Sequence, residues 1–156
     1  MTTTYPELLS GLTPTDAAAV MALGTRTHLD AGETLFQLGG EAHALFAIER
    51  GRIALSLPMR VRDREEDVLI EERTSGQTVG WSAFIPPHRF TLSARATTDT
   101  DLLVLPSDVL LAHFAARPDV GYAVSRSIAA VVGQRLQVVQ AMWLREMQRV
   151  VRLTHA

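Results

Sequence analysis

At 156 residues, with 47% apolar and 21% charged residues, the chain has the size and composition of one globular domain and not of a disordered chain. A net charge of −2 argues against a large nucleic-acid-binding surface, and the lack of cysteine excludes disulfides and cysteine-ligated metals. No apolar run reaches the roughly 18 residues of a membrane-spanning helix, and the N-terminus does not resemble a signal peptide, so we expect a cytoplasmic protein that does not contact a membrane.

A short helix is predicted near the N-terminus. Thr13 can cap it, Pro14 suits its first turn, and Asp16 favours the positive end of the helix dipole. The alanine-rich stretch 17–23 continues the helix, and Gly24 is its expected end.

From Thr25 onward, short segments of β propensity alternate with turns. Arg50-Gly51 predicts a hairpin turn between the strands on either side of it. The predicted strands are 25–29, 33–36, 44–49, 52–57, 68–72, 91–96 and 102–106. Seven or eight short strands at such intervals predict an antiparallel sandwich, roll or barrel.

The last third of the chain is predicted to be helical. Ser107-Asp108 can cap a short helix that ends at Ala116, and Pro118 opens a second helix that runs to about Leu153. At 1.5 Å per residue this second helix is roughly 50 Å long, which is more than a domain of this size needs.

Two apolar stripes follow the long helix. The first alternates by threes and fours, as in a coiled coil, and consists of Tyr122, Ser125, Ala129, Val132, Leu136, Val139, Trp143, Glu146, Val150 and Leu153. The second consists of Val124, Ile128, Val131, Val138 and Met142. We expect the second stripe to pack on the β-strands and the first to meet a second copy of the chain in a parallel homodimer. The predicted interface residues are Val132, Leu136, Val139, Trp143 and Val150.

Glycines mark the corners between several predicted strands. They stand in the stretches 35–41 (LFQLGGE), 45–51 (LFAIERG) and 76–80 (GQTVG). With the order of helices and strands, these stretches resemble the cyclic-nucleotide-binding domain of catabolite-activator-type regulators over nearly the whole chain. The resemblance implies a mainly β fold, an antiparallel double-stranded β-helix or jelly-roll with a short N-terminal helix and a long C-terminal dimerisation helix. The roll would span 1–117, and 118–156 would be the helix of the same domain.

The resemblance also implies a ligand cassette from Gly80 to Thr91. In the family, a glutamate after the glycine binds the ribose hydroxyl, and an arginine on the following strand neutralises the cyclic phosphate. Here Trp81 follows Gly80, and Phe90 stands at the arginine position. A phosphate buried against these aromatic rings would be an unpaired charge, at a cost of several kcal/mol. We therefore expect the chain not to bind ordinary cyclic AMP.

Other groups of the cassette remain available to a ligand. Strand alternation places Phe90 on the inward face and Arg89 on the outer one, from which Arg89 could swing in as a substitute cation. The aromatic side chains of the cassette either line an apolar pocket or fill it, and backbone N–H groups at the helix start can meet an anion or a carbonyl. The candidate ligand-binding residues are Gly80, Trp81, Ser82, Ala83, Phe84, Arg89, Phe90 and Thr91.

No arrangement of residues points to catalysis. The histidines at 28, 43, 88, 113 and 155 are dispersed and do not form the His-x-His plus glutamate set of the related cupin enzymes. His88 follows two prolines and could ligate haem, as happens in some sensors of this fold. The interpretation we favour has no metal, no cofactor and no catalytic residue.

The sequence thus predicts a stand-alone, non-catalytic regulatory or sensor module that is dimeric through its long helix. It would bind a small effector and signal to a partner protein. Transcriptional regulators of the family add a helix-turn-helix domain after the long helix, whereas this chain ends at Ala156, so we expect no direct DNA binding. The alternatives are a structural or docking subunit that has lost its ligand and, less favoured, a cupin-like enzyme.

Overall fold

Two four-stranded antiparallel sheets form the β-part of the chain, of which the computed structural model describes residues 5–156. The strands are β1 (Thr25–Leu29), β2 (Thr34–Phe36), β3 (Ala44–Arg50), β4 (Arg52–Val61), β5 (Arg64–Thr74), β6 (Thr78–Val79), β7 (Ser93–Ala96) and β8 (Thr100–Pro106). One sheet has the order β1-β8-β3-β6 and the other the order β2-β7-β4-β5. The mainly β jelly-roll predicted from the sequence is confirmed.

The turn at Arg50-Gly51 connects the two sheets, and the prediction of a hairpin there is wrong. β3 pairs with β6 and β8, whereas β4 pairs with β5 and β7. Gly51 has a φ of 102°, and a Cβ at this position would collide with the Thr100 hydroxyl and the Asp99 carbonyl. Glycine is therefore required by the close approach of two chain segments, which the local sequence pattern does not distinguish from a hairpin turn.

The long hairpin of the roll is formed by β4 and β5. Arg62 and Asp63 at its tip have φ values of 50° and 64°, as a two-residue hairpin turn of the primed type requires. Both strands extend well beyond the predicted segments 52–57 and 68–72. The extensions are mostly exposed, so they lack the alternation of apolar and polar residues from which a half-buried strand is predicted.

The helices have the predicted positions. They are α1 (Pro14–Met21), α2 (Ser107–Ala116) and α3 (Pro118–Thr154), and a short 3-10 helix (Glu7–Leu9) precedes them. The backbone N–H of Asp16 donates to the Thr13 side chain at 3.2 Å, so the predicted cap of α1 is confirmed. None of the helices within residues 5–156 is long and apolar enough to cross a membrane.

The core has two main layers, and β8 contributes to both. Leu102 faces the space between the two sheets, where it packs with Ile48 and Ile53. Leu103 and Leu105 face the helices, in a cluster that includes apolar residues of α1, α2 and α3. The alternation of side chains along β8 thus joins the interior of the roll to the layer of helices.

The second stripe of α3 packs on the roll, as predicted. Val124, Ile128 and Val131 are buried, and Val138 and Met142 are half-buried. From Trp143 onward every residue of α3 is exposed. The long helix therefore consists of a proximal part that is covered by its own chain and a distal part that is not.

Candidate effector-binding site

The cassette begins at Gly80, which has a φ of 86°. A Cβ at this position would lie 3.0 Å from the Ala44 carbonyl oxygen and from the Phe46 ring. Glycine allows the chain to turn from β6 into a short 3-10 helix, Trp81–Ala83, directly against β3. The glycine corner implied by the family resemblance is thus present.

A small cavity lies beside this corner. Five of the eight predicted ligand-binding residues line it: Gly80, Trp81, Ser82, Phe90 and Thr91. Four further lining residues were not predicted: Phe36, Leu55, Leu92 and Arg135. The cavity measures about 10 Å³, which is room for no more than about one water molecule. In this structure the pocket is therefore almost completely filled by its own side chains.

Phe90 packs closely at the wall of the cavity. Its ring stacks on that of Phe36, with a centroid distance of 3.7 Å and an angle of 5° between the ring planes. Backbone hydrogen bonds with Gly39 (2.8 Å) and Gly40 (2.9 Å) hold its main chain, and only 8% of the residue is exposed. Phe90 faces inward, as strand alternation predicted, although β7 begins later than expected, at Ser93.

Three of the predicted residues do not line the cavity. Ala83 is buried beside it, in a small cluster with Ala42 and Phe90. Phe84 is directed toward Phe114 of α2, at a centroid distance of 6.1 Å. Arg89 lies on the outer face, where its Nη1 donates to the Gly39 carbonyl oxygen at 3.0 Å. The cassette strand therefore brings no cation to the cavity.

The cation at the cavity comes from α3. Arg135 lines the cavity with a side chain that is 11% exposed, and its Nε donates to Glu71 Oε2 at 2.7 Å. Arg135 is not among the ligand-binding residues predicted from the sequence. A sign was available, because Arg135 stands seven residues after Ile128, on the stripe that packs on the roll.

A chain of alternating charges continues from Arg135 into the core. Glu71 Oε1 accepts a hydrogen bond from Arg73 Nη1 at 3.1 Å, and the Arg73 side chain is only 3% exposed. Arg73 also donates to the Thr78 carbonyl oxygen at 3.3 Å and forms an ion pair with Glu7. Two arginines and two carboxylates thus neutralise each other between α3, β5 and the N-terminal 3-10 helix, as buried charges require.

A second polar cluster lies around His28 near the end of β1, which is the edge strand opposite β6 in the first sheet. Its Nδ1 is 2.7 Å from Asp101 Oδ1, and its Nε2 is 3.2 Å from Asp30 Oδ1. The hydrogen bond to Asp101 raises the pKa of His28, and the same contact lowers the pKa of Asp101. Asp99 brings a further carboxylate oxygen within 4.8 Å of the His28 and Asp30 ligand atoms. Carboxylates at both ring nitrogens favour the imidazolium form, which cannot ligate a metal ion.

Comparison with known proteins gives a consistent picture of this architecture. The cyclic nucleotide-binding domain family matches residues 26–117. The Thermus thermophilus catabolite activator protein superposes with a TM-score of 0.73 at 22% identity, over 91% of this chain and 63% of that one. The c-di-GMP-responsive global regulator CLP of Xanthomonas campestris gives 0.76 at 19% identity, over 92% of this chain and 71% of that one.

A further relative is Glutaminase 2 of Bradyrhizobium diazoefficiens. It is 27% identical over 136 residues, which are 86% of this chain but 20% of the glutaminase. The chain thus spans about a fifth of the length of this curated relative. The family match covers more than half of the chain and includes the strands and the glycine corner described above, and the chain therefore belongs to the cyclic nucleotide-binding domain family.

Proposed function

We propose that the chain is a non-catalytic, cytoplasmic regulatory module that binds a small effector other than ordinary cyclic AMP. The observation that carries this proposal is the composition of the cassette. Its glycine corner and short helix have the backbone form expected in the family, but Trp81 and Phe90 occupy the positions of the carboxylate and the strand guanidinium. Because the cassette offers cyclic AMP neither group, an effector of different chemistry is needed.

Dimerisation through α3 is the second part of the proposal. Of the predicted interface residues, Leu136, Val139, Trp143 and Val150 have exposed side chains that do not pack on the roll. Val132 is half-buried and packs partly against the chain's own core, so it would lie at the margin of the interface. Exposed apolar side chains in one continuous stripe are typical of a surface that binds a partner, and a second copy of α3 presents the complementary stripe.

The partner that receives the signal would be another domain or protein that contacts the long helix. The relatives support this breadth, because similar domains occur in transcriptional regulators and in a protein named as a glutaminase. A module whose long helix changes its angle on effector binding can act on any domain that contacts the helix, provided that the effector prefers one arrangement.

One observation favours a second candidate function, that of a docking subunit without a ligand. The stack of Phe90 on Phe36 reduces the cavity to about 10 Å³. If the rings never separate, the roll has no room for an effector, and the module would work through its surfaces alone.

The experiment that tests the proposal uses the two tryptophans of the chain as a matched pair. Trp81→Ala should abolish retention of a small molecule in native mass spectrometry and leave the dimer intact, because Trp81 lines the cavity and lies off the dimer stripe. Trp143→Ala should have the reverse effect, since Trp143 is exposed on α3. If Trp81→Ala unfolds the protein, or if the wild type retains no small molecule, the docking function is favoured instead.

Cyclic AMP provides a direct second test. We expect calorimetry to find weak binding or none, because the cassette offers neither a carboxylate for the ribose nor a guanidinium for the phosphate. A micromolar or tighter dissociation constant would refute this expectation. Loss of that binding in Arg89→Ala would then identify Arg89 as the substitute cation.

A further inference from the structure

Arg135 is the one arginine that lines the cavity, and most of its N–H donors form no hydrogen bond within residues 5–156. Arg135 is largely buried at the cavity wall, and within residues 5–156 only its Nε forms a hydrogen bond, to Glu71. Its two terminal nitrogens carry four N–H donors in a planar arrangement. These terminal nitrogens are not among the buried unpartnered atoms of the described chain, so they are accessible from solvent and can donate to a ligand there.

We propose that the effector is an anion and that Arg135, supplied by the long helix and not by the cassette strand, is its anchor. This inference rests on the proposed effector binding and specifies its chemistry. A planar guanidinium binds carboxylate and phosphate groups through paired hydrogen bonds. The other lining residues are mainly apolar, with the hydroxyls of Ser82 and Thr91 as exceptions. The effector therefore combines one carboxylate group with an apolar body.

The stack of two phenylalanines indicates the form of that body. Phe36 accepts a planar ring face to face at 3.7 Å, and at present this ring is the side chain of Phe90. An aromatic effector can take the place of the Phe90 ring on Phe36, with its anionic group directed toward Arg135 at the same cavity. In this view Phe90 occupies the ligand position in the absence of effector and leaves it when effector binds.

Glu71 competes with the effector for Arg135. Its two carboxylate oxygens are divided between Arg135 and Arg73, so Glu71 retains a buried cation when Arg135 turns to a ligand. Arg135 is followed directly by Leu136, which is exposed on the predicted dimer stripe. A change of partner at Arg135 can shift the helix segment that carries Leu136, and the size of the coupling is set by the difference in effector affinity between the two helix arrangements.

The test uses benzoate as the probe and benzamide as its neutral twin. We expect calorimetry to show that benzoate binds the wild-type chain and that Arg135→Gln weakens this binding by at least roughly tenfold, the usual effect of losing a hydrogen-bonded charge partner. Benzamide binding should not depend on Arg135. Phe90→Ala should tighten benzoate binding by opening the slot on Phe36, and Phe90→Ala combined with Arg135→Gln should lose that gain.

Three further variants separate anchoring from folding. Arg145→Gln removes an exposed arginine of the same helix and should leave benzoate binding unchanged. Arg135→Lys retains the charge without the planar fork and should bind benzoate with intermediate affinity. Glu71→Gln should tighten benzoate binding, because it removes the competing carboxylate; a residue with a purely structural role would not produce a gain.

Two results would overturn the proposal. One is benzoate binding that is equal in wild type and Arg135→Gln, and the other is an absence of benzoate binding in both wild type and Phe90→Ala. Native mass spectrometry separates this failure from failure of the proposed function. A neutral small molecule retained equally by wild type and Arg135→Gln would refute the anionic anchor and leave effector binding in place.

Discussion

The proximal and distal parts of α3 have similar apolar patterns but different surroundings. In the proximal part, Val124, Ile128 and Val131 are buried against the roll. In the distal part, Trp143, Val150 and Leu153 follow a comparable spacing but are at least half exposed. Isolated helices of this length are marginal in water, so the distal part needs a cover that the proximal part obtains from its own chain. Apolar spacing predicts that a face will be covered, whereas only the tertiary structure tells which faces the chain covers itself.

The largest expected effect is a loss of folding stability, and it concerns the buried face of the proximal part. Val124→Asp should lower the free energy of unfolding by about 3–5 kcal/mol, because it places an unpaired charge in a fully buried position. Ala130→Asp, at an exposed position on neither stripe, should cost only about 0.7 kcal/mol through its lower helix propensity. Urea denaturation followed by circular dichroism measures both. Equal effects at the two positions would mean that the proximal part is not held against the roll.

The next effect concerns association and not folding. Leu136→Asp combined with Val139→Asp should give monomers in light scattering and leave the melting temperature of the roll nearly unchanged, since these side chains do not pack on it. The matched control is Gln134→Asp with Gln137→Asp, at exposed positions away from the stripe, which should leave dimers. A wild type that is already monomeric at micromolar concentrations would refute the dimer.

A smaller effect is expected at Gly133, near the end of the buried stripe. A Cβ there meets no atom within 4 Å, so Gly133→Ala should stabilise the helix by about 0.5–1 kcal/mol. Thermal denaturation of the monomeric double variant measures this gain without the partner. If the same substitution weakens the wild-type dimer, the partner helix approaches closely at Gly133. The partner then covers α3 from Gly133 toward Trp143.

The smallest expected effect concerns His28, which lies on β1 and outside both parts of α3. Contact with Asp101 raises the pKa of His28 in the folded chain. A raised folded pKa stabilises the protein fully below the unfolded pKa, and this contribution is lost as the pH rises through the folded value. The difference in melting temperature between wild type and His28→Gln should therefore be small and positive at acidic pH and should vanish at alkaline pH. A difference that grows with pH would contradict this assignment.

Features that depend on neighbouring residues in sequence could be predicted. The Thr13 cap, the order of helices and strands, and the inward position of Phe90 all follow from local pattern and periodicity. The connection between the two sheets at Gly51 could not be predicted, because glycine is required there by contact with Thr100, which is distant in sequence. The spacing of Arg135 from Ile128 indicates that it lies on the face packed against the roll, but its pairing with Glu71 could not be predicted, since Glu71 lies on a distant strand. The sequence also left open whether the aromatic side chains line the pocket or fill it, because the position of Phe90 depends on its stack with Phe36.

The charge chain from Glu7 through Arg73 and Glu71 to Arg135 has a consequence for the history of the family. Removal of Glu71 leaves the largely buried Arg135 without its carboxylate, and removal of Arg73 leaves Glu7 without its cation. Loss of one partner of a pair costs more than the simultaneous loss of both. Substitutions at these positions should therefore be rare singly and should occur together in descendants of a common ancestor. Relatives that carry an apolar residue in place of Arg73 are expected to have lost the carboxylate of Glu7 as well, whereas Arg95, exposed on β7, is free to vary alone.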